Sequence, residues 1–453
     1  MQPGKQSEQA VLKPSKPYEK TLIAKTFDSG FEWAHDTYNA ITVAGDGRVY
    51  YVLSSEKHDV AGRIYVYAPV GNVISFLGDL TEVCGEQGQN LISQGKSHVE
   101  FYERGSRLFF STHVGYYELI DGMDRLPQHA PKGYGLYKGG HILSYDRQTG
   151  RFEDHAIIPD GEGAVSMTMD TERGNIFCIS WPSGNFIHYN VDTREMNDLG
   201  RTAGKGEDGT PGNDFRSLCR SLFIDQRDGT VYYSTAEGDI YAYEPQSRLL
   251  RKLEECNLRI DYFGKYDPTQ PGSMGYNWRK VFWHPENAVA YGVHGNSGYL
   301  FKFDPREEKI ELVERITSGL SKKSGMFDQF SYGYLGFQLG PDQETIYYLT
   351  GGPVYHNGKR ISGLSEIAKG AARGLENLHL VTYHIPSGKY SDHGPVFYEN
   401  GDRPLYVNSI AVSPAGAIYA LARIDRNGKT ITDLISIPDP LVKKDRNTHA
   451  NGK

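Results

Sequence analysis

The sequence predicts an all-β fold built from repeated four-stranded antiparallel sheets. The 453 residues include 32 Tyr and 52 Gly, and 38% are hydrophobic. Such a composition favours strands that are joined by tight turns. A second observation is a pattern of an apolar strand, a turn and an aromatic-rich strand, which recurs along the chain.

The pattern is clearest in residues 95–117, GKSHVEFYERGSRLFFSTHVGYY, which read as a β-hairpin with its turn at Arg104–Gly105. His98 and His113 lie at the outer ends of its two strands. The chain carries seven copies: NAITVAGDGRVYYVLSS from Asn39, SHVEFYERGSRLFFSTH from Ser97, AVSMTMDTERGNIFCISW from Ala164, CRSLFIDQRDGTVYYST from Cys219, WRKVFWHPENAVAYGVH from Trp278, YLGFQLGPDQETIYYLT from Tyr334 and NSIAVSPAGAIYALAR from Asn408.

Most copies continue with a third strand and a turn, as in ILSYDRQTGRFEDHAII. The resulting period of about 55–70 residues is typical of propeller blades. The seventh copy ends with ITDLISIP and a polar tail, so we expect EKTLIAKTF, residues 19–27, to supply its fourth strand. Closing the ring in this way removes exposed sheet edges. We therefore predict one seven-bladed β-propeller domain over residues 1–453, with flexible tails at 1–18 and 440–453.

Charge and hydropathy exclude several classes of partner. The net charge of −7, with both signs mixed, argues against a nucleic-acid partner. An anionic substrate stays open, because a local group of Arg and His can lie inside an acidic protein. No apolar run approaches the ~18 residues of a membrane span. Four cysteines without metal-type spacing are expected as buried free thiols rather than disulfides: Cys84, Cys178, Cys219 and Cys256.

The N-terminal segment MQPGKQSEQAVLKPSKPYEK is polar and lacks an apolar signal core. The sequence leaves open a cytoplasmic protein and one whose signal peptide has been removed. We expect a secreted or periplasmic monomer.

The predicted architecture gathers scattered polar residues at one end of the central channel. First strands begin, second strands end and third strands begin at the same face of a propeller, so their terminal residues surround one funnel. Several His and Arg side chains at one mouth would cost desolvation and repulsion unless an anion binds there. The candidates are Asn39, His98, Arg220, Arg279 and Asn408 at first-strand starts, His113, Trp181 and His294 at second-strand ends, and His35, Tyr117, His141 and Tyr276 at third-strand starts and in loops.

These residue types suit a saccharide that contains a uronic acid. Arg binds carboxylates through paired donors, His transfers protons near neutral pH, and aromatic rings stack on sugars. β-Elimination uses this set without a nucleophile, since one group neutralises the carboxylate, a His or Tyr removes the C5 proton, and a second one protonates the leaving oxygen. Paired carboxylates for ordinary glycoside hydrolysis are not evident.

Clustered imidazoles could instead bind a metal ion. His98, His113 and His141 could hold a divalent ion as a three-histidine site. The elimination chemistry itself requires no cofactor. A structural Ca²⁺ or Zn²⁺ is left open by the sequence.

The runs SHVEF…FFSTHVGYY…GGHILSYD and GYNWRKVFW…YGVHGNSGYLFKFD resemble the seven-bladed polysaccharide lyases that cut ulvan, and related propeller enzymes that act on rhamnose-glucuronate linkages. The resemblance spans most of the chain and is specific at the histidine pair. In the ulvan lyases two such histidines work with a Tyr and an Arg. By position, the resemblance implies catalytic roles for His98 and His113.

The chain departs from that family in its third repeat. Where the family's Tyr and Arg are expected, the sequence reads Ala164-Val165-Ser166 and Trp181. Arg220 or Arg279 would then bind the carboxylate, with Tyr276 or Tyr117 as the proton donor. In the related rhamnosidases a lone His at another location is catalytic, and His35 is the candidate for that role.

The leading hypothesis is a polysaccharide lyase. The alternatives are a glycoside hydrolase that releases rhamnose from rhamnose-α-1,4-glucuronate ends of arabinogalactan, and a non-catalytic saccharide-binding propeller.

Overall fold

The computed structural model describes residues 21–120, 122–324, 336–353, 355–356, 359–360, 376–404, 406–407 and 409–442. The predicted tail at 1–18 and most of the one at 440–453 lie outside these residues. Strands dominate the described chain, and its α-helices are the short turns α1 (Leu80–Val83) and α2 (Gly319–Ser324). Neither helix has the length and apolar content that crossing a membrane requires.

The strands form four-stranded antiparallel units that follow one another along the chain. After β1 (Leu22–Thr26), unit 1 contains β2 (Ile41–Val43), β3 (Val49–Leu53), β4 (Arg63–Ala68) and β5 (Val73–Asp79). Unit 2 contains β6 (Tyr102–Arg104), β7 (Arg107–Ser111), β10 (His141–Asp146) and β11 (Arg151–Ile157), with the inserted hairpin β8 (Glu118–Ile120) and β9 (Met123–Arg125).

The next three units repeat the same order without an inserted hairpin. Unit 3 contains β12 (Gly163–Asp170), β13 (Asn175–Trp181), β14 (Asn185–Asn190) and β15 (Met196–Arg201). Unit 4 contains β16 (Phe223–Ile224), β17 (Val231–Ser234), β18 (Asp239–Glu244) and β19 (Leu249–Asn257). Unit 5 contains β20 (Lys280–His284), β21 (Val289–His294), β22 (Tyr299–Asp304) and β23 (Lys309–Arg315).

Most of the remaining strands join β1 in one eight-stranded sheet, and two of them form a small separate sheet. Its first half, unit 6, contains β24 (Phe337–Leu339), β25 (Thr345–Pro353), β28 (Glu376–His384) and β29 (Lys389–Tyr398), with the small hairpin β26 (Tyr355–His356) and β27 (Lys359–Arg360) between β25 and β28. Its second half, unit 7, contains β30 (Ala411–Ser413), β31 (Ala417–Arg426), β32 (Lys429–Pro438) and the N-terminal β1.

β1 joins the two ends of the chain. It pairs antiparallel with β32, with Lys25 opposite Ser436, and parallel with β29, with Leu22 opposite Val396. The N-terminal segment therefore supplies the outer strand of unit 7, as the missing fourth strand of the last repeat predicted. Because β1 also bonds to unit 6, it fuses two units into one sheet, and the number of separate blades stays a prediction.

The first strands of the units surround a common axis. Contacts connect β7 to β12, β12 to β16, β16 to β20, β20 to β24, β24 to β30 and β30 to β2. The circuit is completed beside β6, where the hydroxyl of Thr42 donates a 3.2 Å hydrogen bond to the carbonyl of Phe101. The predicted all-β class and propeller architecture of four-stranded antiparallel units are confirmed.

The core lies between the sheets. Because neighbouring sheets cover both faces of a middle strand, β3 and β13 are buried at every residue, while β5 at an outer edge is exposed or half-buried at all residues but one. Trp278, with no exposed surface, packs between units 4 and 5 against Phe223 and Phe301. All four cysteines are buried and free, as predicted.

Candidate functional site

The hairpin of unit 2 brings its two histidines into contact. The centroids of the His98 and His113 rings lie 4.4 Å apart. Continuing the register of the hairpin pair Arg104–Arg107 would place His98 opposite His113, yet the residue that pairs with His113 is Lys96. Two backbone hydrogen bonds, of 2.9 and 2.7 Å, form this pair. The chain between Lys96 and β6 is thus displaced from the hairpin register, and the side chain of Lys96 joins the two histidines at this point.

Glycines allow the backbone to approach so closely here. A Cβ atom on Gly115 would lie 2.0 Å from the carbonyl oxygen of Ser55, and one on Gly95 would lie 2.5 Å from Cα of Gly115. The amide of Ser55 donates a 2.8 Å hydrogen bond to the carbonyl of Gly95. Since only glycine lacks a Cβ atom, these two positions hold unit 1 against unit 2 and bring their side chains to one site.

Both imidazoles keep an unused nitrogen. Nδ1 of His113 lies 2.8 Å from the carbonyl oxygen of Val114, so Nδ1 carries the proton and Nε2 carries a lone pair. Within the described chain, neither Nε2 of His113 nor Nε2 of His98 has a hydrogen-bond partner, although both atoms are buried. Buried polar atoms are nearly always satisfied, so this pair indicates a place for a ligand.

The environment favours neutral imidazoles. Burial lowers the pKa of His113 to about 3; the hydrogen bond to Val114 opposes this lowering, and the charges of Lys96 and Arg220 add to it. Burial also holds the pKa of His98 well below its usual range, and His113, Lys96 and Arg220 act in the same direction. Both groups are therefore unprotonated bases at neutral pH.

An aromatic wall backs the pair. The ring of Tyr38 stacks on His98 at 4.6 Å, and the ring of Trp181 lies 5.3 Å from His113 and 5.5 Å from Tyr117. Trp181 is only 6% exposed, and its Nε1 donates a 2.9 Å hydrogen bond to Glu207. The side chain predicted to stack on a sugar is thus a fixed wall of the site.

Glu207 organises the cationic side of the site. Its Oε1 accepts hydrogen bonds from Nη2 of Arg220 at 2.6 Å and from the amide of Leu218 at 3.1 Å, while its Oε2 binds Trp181. Arg220 acts on both imidazoles electrostatically, so this predicted binding residue does join the histidine pair. Glu207 lies in a loop after unit 3, where no repeat register indicated a functional residue.

A buried ion pair forms the opposite side. Nζ of Lys96, whose side chain is 2% exposed, lies 2.8 Å from Oε1 of Glu56, and Nδ1 of His35 lies 3.2 Å from the same oxygen. Burial opposes the charge on Glu56, but His35 and Lys96 outweigh it and lower its pKa. Sequence reasoning missed both Lys96 and Glu56. Glu56 closely follows the second strand of unit 1, so the strand-end rule that selected His113 could have found it.

A small cavity continues from the pair along the channel axis. Its volume is about 80 Å³, and Asn39, His98 and Arg220 line it together with the ion pair of Lys280 and Glu100. One water molecule needs ~10–15 Å³ on this measure, so the cavity holds several waters or a small polar group. Asn39 is thereby placed at the site as predicted, whereas Asn408 lies outside the described residues.

His141 does not join the pair. Its Nδ1 lies 2.9 Å from Asp154 and its Nε2 lies 3.1 Å from Glu86, so carboxylates occupy both ring nitrogens. Burial opposes protonation, but hydrogen bonds with Asp154, Cys84 and Glu86 outweigh it and raise the pKa of His141 to about 11. The proposed three-histidine metal site is wrong for this reason, and no cluster in the described part of the chain has the makings of a metal site.

Three predicted residues form a separate group in and before unit 5. The ring of His294 stacks on that of Phe263 at 4.2 Å. Burial, and to a smaller extent the charge of Arg279, lower the pKa of His294 to about 3. Tyr276 packs on Tyr266, whose ring lies 5.8 Å from that of His294. These contacts form a cluster around His294. His113 and His294 hold the same place in the repeat, at the end of a second strand, but they belong to different units.

Comparisons with known proteins bear on the fold. No protein-family model matches the chain, and the comparison with curated proteins gave no match. A chain in the crystal structure of the mitotic checkpoint complex is similar in structure, with a TM-score of 0.50 and 10% identity over 97% of this chain and 99% of that one. Hydrazine synthase of Kuenenia stuttgartiensis reaches a TM-score of 0.42, with 11% identity over 70% of this chain and 74% of that one. At 10% identity, the first of these two likenesses supports a β-propeller fold alone, and the resemblance to ulvan lyases and rhamnosidases stays an expectation.

Proposed function

We propose that the protein is a carbohydrate-active enzyme that cleaves a saccharide containing a uronic acid by β-elimination. The observation that carries this proposal is the contact between His98 and His113, both with a buried, unpartnered Nε2. Two neutral bases beside Lys96 and Arg220 form a site that attracts an anion and can remove a proton from it.

The reaction assigns one role to each group. Arg220 binds the uronate carboxylate and so acidifies the proton on C5. Nε2 of His113 takes that proton, a double bond forms between C4 and C5, and the bond from C4 to the leaving oxygen breaks. Tyr117 supplies the proton for that oxygen, since burial raises the pKa of its hydroxyl more than Lys96 lowers it. Tyr276 belongs to the separate group around His294, which makes Tyr117 the better donor of the two.

The carboxylates at the site support elimination over hydrolysis. Glu56 is bound to Lys96 and Glu207 to Arg220, so both are engaged as counter-ions. A hydrolase of the usual kind needs one protonated carboxylic acid and one free carboxylate. His35, with 40% of its side chain exposed beside Glu56, is the candidate group for the alternative of a rhamnose-releasing hydrolase.

The test compares products from several polysaccharides. Ulvan, glucuronan and arabinogalactan are incubated with the protein while the ultraviolet absorbance of unsaturated uronate and the release of reducing sugar are followed. We expect unsaturated product from at least one of them, its loss in His113→Ala, and its retention in His384→Ala, a partly exposed histidine of unit 6.

Any other outcome contradicts the proposal. Reducing sugar such as free rhamnose without new absorbance indicates the hydrolase, and saccharide affinity without turnover indicates a binding propeller. An unchanged rate in His113→Ala overturns the assignment of the base. An enzyme for anionic polysaccharides would meet its substrate outside the cytoplasm, so we include a secreted or periplasmic monomer in the proposal.

A further inference from the structure

We propose that Lys96 is a positioning residue of this site, whose ammonium supplies a fixed positive field behind His98 and His113 that favours an anionic ligand, with Glu56 as its internal counter-ion. The inference rests on the proposed function only in its choice of a uronate as the ligand. Neither residue was among the candidates from the sequence.

The position of Lys96 is set by the backbone. Lys96 and His113 exchange both backbone hydrogen bonds, and such residue pairs in antiparallel strands carry their side chains on the same side. The chain displacement before β6 is what brings Lys96, rather than His98, to this place. The side chain of Lys96 therefore leaves the backbone on the same side as that of His113, and the ion pair with Glu56 then holds its ammonium.

The ammonium is held by few partners. Nζ lies 2.8 Å from Glu56, 4.8 Å from the ring centroid of Tyr117 and 6.0 Å from that of Tyr38. Those rings in turn contact His113 and His98, at 6.5 and 4.6 Å. Its ammonium donates a hydrogen bond to Glu56, and the two ring faces supply weaker cation–π attraction.

The burial of the charged Lys96 ammonium requires a physical explanation. A lysine is almost never fully buried, because removing its ammonium from water is expensive even when a carboxylate compensates for it. A pair of apolar side chains would fill the same space at a lower cost. The pair is also asymmetric, since Lys96 is 2% exposed while Glu56 is 30% exposed and shares its oxygen with His35. The positive end is thus directed at the imidazoles and the negative end at solvent, which is the orientation that attracts an anion to the site.

Two variants of the same ion pair test the inference, since their effects have opposite signs. Lys96→Met removes the positive charge with little change in length, and Glu56→Gln removes the counter-charge and keeps the shape. Binding of D-glucuronate is measured by calorimetry, with D-glucose as the uncharged probe. We expect Lys96→Met to bind glucuronate roughly tenfold more weakly and Glu56→Gln to bind it severalfold more tightly, with unchanged glucose binding.

A second measurement needs no ligand. The histidine ring protons are followed by NMR across the pH range in which the fold persists, and circular dichroism verifies that each variant is folded. The imidazoles should take up protons at higher pH in Lys96→Met and at lower pH in Glu56→Gln, because a positive field opposes protonation and a negative one favours it.

The outcomes separate the two proposals. If both variants weaken glucuronate binding, or neither changes it, the role of Lys96 is overturned while a lyase activity of the wild type stands. If the wild type neither binds glucuronate nor forms unsaturated product, the proposed function fails, and the NMR shifts decide on Lys96 alone. Shifts in opposite directions then support the inference, and shifts in the same direction or none overturn it.

Discussion

Glu207 is the residue whose removal should perturb the site most directly. Three donors converge on its carboxylate, namely Trp181 at 2.9 Å, Arg220 at 2.6 Å and the amide of Leu218 at 3.1 Å. The side chains of Arg220 and Glu207 are 11% and 16% exposed, so water replaces these bonds poorly. Breaking a buried ion pair by removing one partner costs about 3–5 kcal/mol. Because part of the Glu207 side chain reaches solvent, we expect Glu207→Ala to cost about 3 kcal/mol, at the lower end of this range.

The assay is urea unfolding followed by tryptophan fluorescence and circular dichroism. Glu207→Ala should lower the midpoint without changing the slope, and the emission of Trp181 should shift as its indole loses its partner. Glu207→Gln keeps an oxygen and loses the charge, so it should cost about 1–2 kcal/mol. Glu172→Ala in the same unit removes a carboxylate that is 81% exposed and should leave the midpoint within experimental error. A Glu207→Ala midpoint equal to that of the wild type would refute the reasoning.

Three further predictions concern the surroundings of the pair. Gly115→Ala places a Cβ atom 2.0 Å from a backbone oxygen of Ser55, so thermal unfolding should show a loss of at least about 1–3 kcal/mol, and an unchanged melting temperature would contradict the close approach. The unfolded imidazole of His113 takes up a proton below a pKa of about 6.5, whereas the folded one resists it down to about 3. Stability from this group is therefore present above about 6.5 and is lost as the pH falls towards 3, so His113→Phe should flatten the pH dependence of urea midpoints in that window, and parallel curves would argue against it. His141 has a folded pKa raised to about 11, so its contribution is full below about 6.5 and is lost as the pH rises towards 11. His141→Phe should remove this alkaline loss and cost about 3–5 kcal/mol near neutral pH, because Glu86 and Asp154 lose their cation, and a variant as stable as the wild type would disprove the role.

Much of the fold follows from local signals. The predicted hairpin turn is present one residue later than expected, at Gly105–Ser106, and Gly105 has a φ of 62°, a conformation that costs glycine little. The strands before and after each turn could be recognised in the sequence, because a strand packed between two sheets is apolar along most of its length. The place of β1 beside β32 was also predictable, since the last repeat lacked a strand and the N-terminal segment had the alternation to supply one.

The candidate site was predictable only in part. The strand-end rule selected His113 and Trp181, whose rings the structure brings within 5.3 Å of each other, because a strand's end is a local property of the sequence. It failed for His141, which also begins a strand, because the rule says nothing of the carboxylates that surround a side chain. The rule also assigned His294 and His98 to one site, although they belong to units 5 and 2, which are not neighbours in the ring.

The sequence by itself determined the repeat, the strand class and which polar residues lie near strand ends, because periodicity and turn chemistry act over a few residues. Only the tertiary structure decided which of those side chains touch. The displacement that pairs Lys96 with His113, the glycine contacts that bring Ser55 to Gly115, and the carboxylate of Glu207 between Trp181 and Arg220 all join residues distant in sequence. Packing between sheets fixes these contacts, and with them the charge and the protonation of the site.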